Sequence, residues 1–303
     1  MSAQPEVLDA AFDRLGQWGF DDPDGYVNHG PMACEALDVL FRPADVDSWS
    51  RLDSGTPPTI PVPPNRFDQS QALGDITRTA EWMGYFERAI TDDGWPQVLG
   101  EWLPRLVPGL GVALFHGAIR SAHATRAIET TDSPARRTEL ARSLGYWAGL
   151  FDNGAPPLTT DARRVDDLEL AVIHAAADAA RHYLARPNII NLHGVTAAMA
   201  VSILVRHTDP ESSAKALAQL RGEHAVLYDG TEPVDDVVAP EISESMVIDA
   251  AVLSGEAHAV KLVEASHRGF AATADPAFLA AAERVSRRGL RRLSEGGPDA
   301  ATG

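Results

Sequence analysis

Helical periodicity, the lack of any alternating strand pattern and three proline-led breaks predict an all-α protein. We expect one large helical domain over 1–303, of about ten helices, with a Pro-rich irregular segment near the N-terminus. Near the start, Asn28-His29-Gly30-Pro31-Met32 reads as a turn running into a helix. Residues 42–68 hold six prolines, which argues against a helix there. So long an irregular stretch is expected to be a lid or a wrapping arm. Beyond it, apolar residues recur at three-to-four spacing over 73–90, 110–128, 137–151, 166–185, 191–207, 243–266 and 276–293, each read as one helix. Asp132-Ser133-Pro134, Thr208-Asp209-Pro210 and Ala274-Asp275-Pro276 each place a capping side chain before a proline, the signature of a new helix. No internal repeat is evident.

Composition narrows the partners. With 26 basic and 43 acidic residues the formal charge is −17, a surface that repels nucleic-acid phosphates and anionic lipid. A neutral or weakly charged small molecule is the expected partner. Cys34 is the only cysteine, so an intramolecular disulfide and a cysteine-rich metal cluster are both excluded. The first residues lack a basic region followed by an apolar run, and no stretch approaches the roughly 20 apolar residues of a bilayer span. A cytoplasmic protein is expected.

The ten histidines are placed unusually. His116, His123, His174, His193 and His258 lie in alanine-rich or apolar helical stretches, and His29 sits in the turn before a helix. A buried imidazole needs a partner, and a metal satisfies several at once. His116 and His123 are seven positions apart, about 10 Å along a helix, too far for both to reach one ion through bonds of about 2.1 Å. His174 and His182 face the same objection. Ligands are therefore expected one per helix, as in metal sites of helical bundles.

Lys261 lies one turn after His258, and only one other lysine, Lys215, occurs in the chain. Its ammonium form has no lone pair for a metal, whereas a carbamate formed with carbon dioxide is an oxygen ligand. The plainer alternative is a surface lysine paired with Glu264. Other motifs fail: there is no His-Glu-x-x-His and no Gly-x-Ser-x-Gly, and Gly109-Leu110-Gly111 lacks a preceding strand and a third glycine. His207-Thr208-Asp209 reads as a helix end, and Glu264-Ala265-Ser266-His267 is a single Glu-x-x-His where a di-iron site needs two.

Several blocks resemble the questin oxidase-like family. They are Asn28-His29-Gly30-Pro31-Met32-Ala33-Cys34-Glu35-Ala36-Leu37, the run from Trp102 to Leu110, His116-Gly117-Ala118-Ile119-Arg120-Ser121-Ala122-His123, Leu192-His193-Gly194-Val195-Thr196 and the run from His258 to Ala265. They stand in the family's order and span roughly 25–270, the first and the His116 block being the most specific. The resemblance implies a non-haem, mononuclear Fe(2+) oxygenase that uses dioxygen to oxidise or cleave an aromatic, anthraquinone-like polyketide ring. It implies His29, His116, His193 and His258 as imidazole ligands and Lys261 as a carboxylated lysine ligand. It also implies catalytic roles for His123 and Arg120, with the exchange of His116 and His123 left open. The residues around Lys261 lack the aromatic and cysteine side chains of that motif, so the substrate can differ while fold and metal persist. Trp82, Tyr85, Tyr146, Trp147 and Phe151 are candidates for a flat apolar wall around an aromatic ring. Two other readings stay open: a zinc-dependent hydrolase on the same scaffold, and a non-catalytic helical binding protein with structural histidines.

Overall fold

The computed structural model describes residues 4–20, 27–52, 67–157 and 167–294. They form fourteen α-helices in a single helical arrangement, with no β-strand among the described residues. In order these are α1 (Gln4–Leu15), α2 (Gly30–Val39), α3 (Pro43–Leu52), α4 (Gln69–Ala72), α5 (Thr79–Asp93), α6 (Trp95–Leu106) and α7 (His116–Thr130). Then come α8 (Pro134–Leu150), α9 (Leu168–Ala185), α10 (Ile189–Leu204), α11 (Pro210–Leu227), α12 (Glu244–Ser254), α13 (Ala257–Thr273) and α14 (Pro276–Ser294). The proline-led breaks start helices where expected. Ser133 caps α8 by accepting from the Arg136 amide, Asp209 caps α11 through two amides, and α14 opens on Pro276.

Several expectations need correction: the α-helices number fourteen rather than about ten, and within 73–90 the α-helix begins only at Thr79, after Gly74 with φ of 81°. Residues 43–52 are a helix, because Pro43 sits in its first turn, where the missing N–H has no intrahelical partner to lose. The other five prolines of the 42–68 segment fall within 53–66, outside the described residues, and so does most of the lid expectation. The stretch 243–266 is two helices, parted at Gly255, whose φ of 72° ends α12 in the left-handed region. The stretch 110–128 becomes regular only at His116.

Two apolar cores run through the bundle. The larger joins α5 to α10 around Trp82, Trp102 and Trp147; the smaller gathers Leu8, Phe12, Cys34, Leu37, Val260 and Val263 from α1, α2 and α13. Helices α2 and α13 contribute to both, with Met32 and Leu262 facing the larger core. Helix α10 lies in the middle. The span Ile189–His207 is apolar and long enough to cross a membrane, but 83% of its most apolar window is buried inside the bundle.

Candidate metal centre

Four helices bring one histidine each to a common point. His29 is the residue before α2, held there by the Asn28 side chain, whose Oδ1 accepts from the Gly30 amide at 2.9 Å. His258 lies in the first turn of α13, just past the Gly255 break. His116 opens α7 after three consecutive left-handed residues, Ala113, Leu114 and Phe115, with φ of 46°, 54° and 67°. Each such non-glycine residue costs about 1–2 kcal/mol, a strain kept where it positions a side chain. That turn aims the Ala113 carbonyl at His116 Nδ1, 2.6 Å away. His193, on the first turns of α10, makes the equivalent bond from Nδ1 to the Ile189 carbonyl at 2.7 Å.

The nitrogen atoms these rings offer all lie within 4.8 Å of one another. His29 Nε2 is 2.9 Å from His116 Nε2, and His116 Nε2 is 3.2 Å from His193 Nε2. The His258 ring centroid is 4.3 Å from that of His29 and 5.0 Å from that of His193, and its buried Nε2 has no hydrogen-bond partner. A carbonyl only accepts, so the proton of neutral His116 and of neutral His193 sits on Nδ1. Their Nε2 atoms then face each other as two lone pairs, an arrangement that a shared cation relieves. Two nitrogens about 2.1 Å from one ion at right angles stand about 3.0 Å apart, which matches the spacing seen. The residues present therefore fit a metal ion.

Electrostatics keeps the rings neutral. Burial, then the nearby Lys261 charge, pushes all four imidazoles well below their usual range, His193 to about 3. Lys261 is only 1% exposed, and its Nζ has no hydrogen-bond partner. Burial lowers its pKa to about 7. This overturns the surface-lysine alternative, since Glu264 instead pairs with Arg126 and Arg268.

His123 does not join the cluster. Its Nδ1 is 2.5 Å from Glu35 Oε2, and Glu35 also receives two N–H groups of Arg126. Arg126 reaches across to Glu264, which Arg268 meets at 2.8 Å, and Arg268 donates to the Met199 carbonyl at 3.0 Å. This buried chain thus links α2, α7, α13 and α10, the four helices that carry the clustered histidines. Burial works to raise the Glu35 and Glu264 pKa values, but the arginines win and hold both carboxylates ionised, Glu264 at about 2. His123, Thr196, Lys261, Glu264 and Arg268 line a cavity of about 10 Å³, the size of one water. Nothing in the sequence pattern had flagged the chain, although Glu35 in the apolar run Met32–Leu37 was a signal.

Arg120 is placed elsewhere. Its guanidinium makes a two-pronged ion pair with Glu139 of α8, at 2.7 and 3.0 Å, and lies over the Phe20 ring. His174 is exposed, against the expectation from its alanine-rich surroundings, because those alanines pack inward while it faces out. The proposed aromatic wall is mostly core. Trp82 and Tyr85 pack with Phe86 and Trp102, Tyr146 stacks on Phe20, and Trp147 donates to the Gly109 carbonyl. Two glycines that follow clustered histidines have their own reason. A Cβ on Gly117 would lie 2.6 Å from the Trp147 ring, and one on Gly194 would lie 1.9 Å from the Tyr228 hydroxyl. No family model matches the chain, and no curated protein matches it.

Proposed function

We propose that this chain is a non-haem iron oxygenase with a mononuclear centre, acting on an aromatic, polyketide-like small molecule. The observation that carries the metal is the pair of unprotonated Nε2 atoms of His116 and His193 facing each other, with His29 and His258 completing the set. His29, His116, His193 and His258 would hold the ion, and Lys261, as its carbamate, would add an oxygen donor. When bound, iron(II) supplies the redox chemistry by which dioxygen reacts with an electron-rich ring. The chain's own part is orientation and exclusion of water. The Ala113 and Ile189 carbonyls fix two ring tautomers, and the buried helices remove solvent from the ligands.

Coordination number favours iron over zinc. Zinc in proteins is almost always four-coordinate, so four imidazoles would saturate it and leave no position for a reacting water. An ion that takes six ligands keeps room beyond the four imidazoles and the Lys261 carbamate. Elemental analysis of protein purified without chelators tests this. We expect about one iron per chain, and loss of that iron in His193→Ala. Stoichiometric zinc in protein made with iron supplied would move the reading to a structural site, or to a hydrolytic one if a histidine proves not to ligate, and absence of any transition metal would leave a helical binding protein.

A further inference from the structure

Arginine is spread unevenly over the surface of this acidic chain. Helix α14 carries Arg284, Arg287, Arg288 and Arg291 at the i, i+3, i+4 and i+7 positions of one helix face, against a single acid, Glu283. Its other face, with Ala277, Phe278, Ala281 and Ser286, is buried, so the arginine stripe looks outward. Arg287, Arg288 and Arg291 are exposed and Arg284 is half-buried. Arg287 meets Glu283 of its own helix and Arg288 meets Glu256, both as exposed pairs that contribute little. Among the described residues, neither Arg284 nor Arg186, exposed at the end of α9, is in an ion pair.

The opposite charge lies alongside. The loop from α11 to α12 holds Asp229, Glu232, Asp235, Asp236 and Glu241 and no basic residue, and all five acids are exposed. None of the five is in an ion pair among the described residues. The end of α9 stands between loop and stripe. On one side the Val234 amide donates to the Arg181 carbonyl at 3.4 Å. On the other, Tyr183 lies within reach of the Arg284 and Arg287 charges, which oppose the rise that burial gives its pKa. Acid and base thus stand side by side without neutralising each other. The same face is apolar in part. Ile189, which shares an open cleft with Tyr183, Val285 and Arg288, is 47% exposed, its neighbour Ile190 48%, and Val238 in the loop 84%.

Two adjacent patches of opposite sign complement themselves under a two-fold rotation, which lays the stripe of each copy on the loop of the other. Net charge works against this, since each copy carries −17. Distance decides: at about 0.15 M salt, charges more than about 8 Å apart are largely screened, whereas charges in contact are screened much less. One exposed pair is worth little, so the contact needs several at once, with Ile189, Ile190 and Val238 leaving water as they close.

We infer that the face formed by α14, the end of α9 and the 229–241 loop is a self-association surface, occupied by a second copy of this chain in a two-fold dimer. The inference does not depend on the metal. Sedimentation equilibrium of the whole chain, from about 1 to about 100 μM at about 0.15 M salt, tests it. We expect a monomer–dimer equilibrium that weakens at least tenfold at about 1 M salt. Arg186→Glu with Arg287→Glu, and separately Asp235→Arg with Asp236→Arg, set like charges face to face, so each double variant should remain monomeric. Mixed in equal amounts, the two should associate again, since each then meets the opposite charge, and misfolded chains would not recover in this way. A chain without substitutions that stays monomeric throughout overturns the inference. So does association that either double variant leaves unchanged, or a mixture of the two that stays monomeric.

Discussion

Lys261 is the residue whose chemistry the fold constrains most. Buried without a hydrogen-bond partner and with a pKa near 7, its amine is substantially neutral at neutral pH. A neutral amine can add carbon dioxide by forming an N–C bond and releasing one proton, and a metal in the proposed centre would then retain the carbamate. Lys261→Ala is expected to lower metal occupancy several-fold. Lys261→Arg, still cationic and unable to form a carbamate, should do no better, and Lys261→Glu should recover part of the loss. Metal content and a carbonyl carbon signal from labelled carbon dioxide check this; an alanine variant with full occupancy refutes it. At this scale much was legible in the sequence, because imidazoles in apolar helices announce themselves. What fixes the rings was hidden, since the partners of His116 and His193 are backbone carbonyls that any residue supplies. His174 misled for a related reason: alanine fits a solvent-facing helix as readily as a packed one.

Between helices, the buried chain from Glu35 through Arg126 and Glu264 to Arg268 acts as a brace behind the histidines. Removing the centre of a buried charged network leaves its partners uncompensated, at a cost of about 3–5 kcal/mol. Arg126→Met should therefore lower the urea midpoint and, by loosening α2 against α13, weaken metal retention against a competing chelator. Replacing both acids as well, Glu35→Gln with Glu264→Gln, should restore part of the stability, since no naked carboxylate remains. If the single variant loses stability but holds metal as tightly as before, the brace serves folding alone. Helix existence was readable from periodicity, but helix ends were less so. Apolar spacing runs unbroken through Gly255, and only the left-handed backbone there separates α12 from α13. The turn at 113–115 carries no glycine or proline to betray it, so α7 was expected six residues too early.

For the molecule as a whole, buried neutral histidines set how stability responds to acid. In the metal-free protein the buried His193 and His224 are held near 3 and 4, below the ordinary 6.5. As pH falls below about 6.5 the unfolded chain takes up protons that the folded one refuses, so stability is complete above that pH and declines towards 4 and 3. By pH 5 each such group costs up to about 2 kcal/mol. Urea midpoints at pH 7.5, 6 and 5 should fall monotonically, and a flat profile would mean the rings are not buried neutral. The all-α class was plain from the sequence because one period governs nearly every segment; how the helices are arranged was not, because the contacts that decide it are distant in the chain. That distance has a consequence of its own. Neighbouring histidines of the cluster are 87 and 77 positions apart, so a metal ion would have no local fragment to organise and would meet its ligands only after the bundle has formed. A receptacle finished before its contents arrive takes whichever ion is abundant and binds nitrogen strongly, and copper and zinc outrank iron(II) on that scale. The expectation of about one iron per chain therefore holds for protein made with iron supplied, and iron loading should fall as iron is withheld during synthesis.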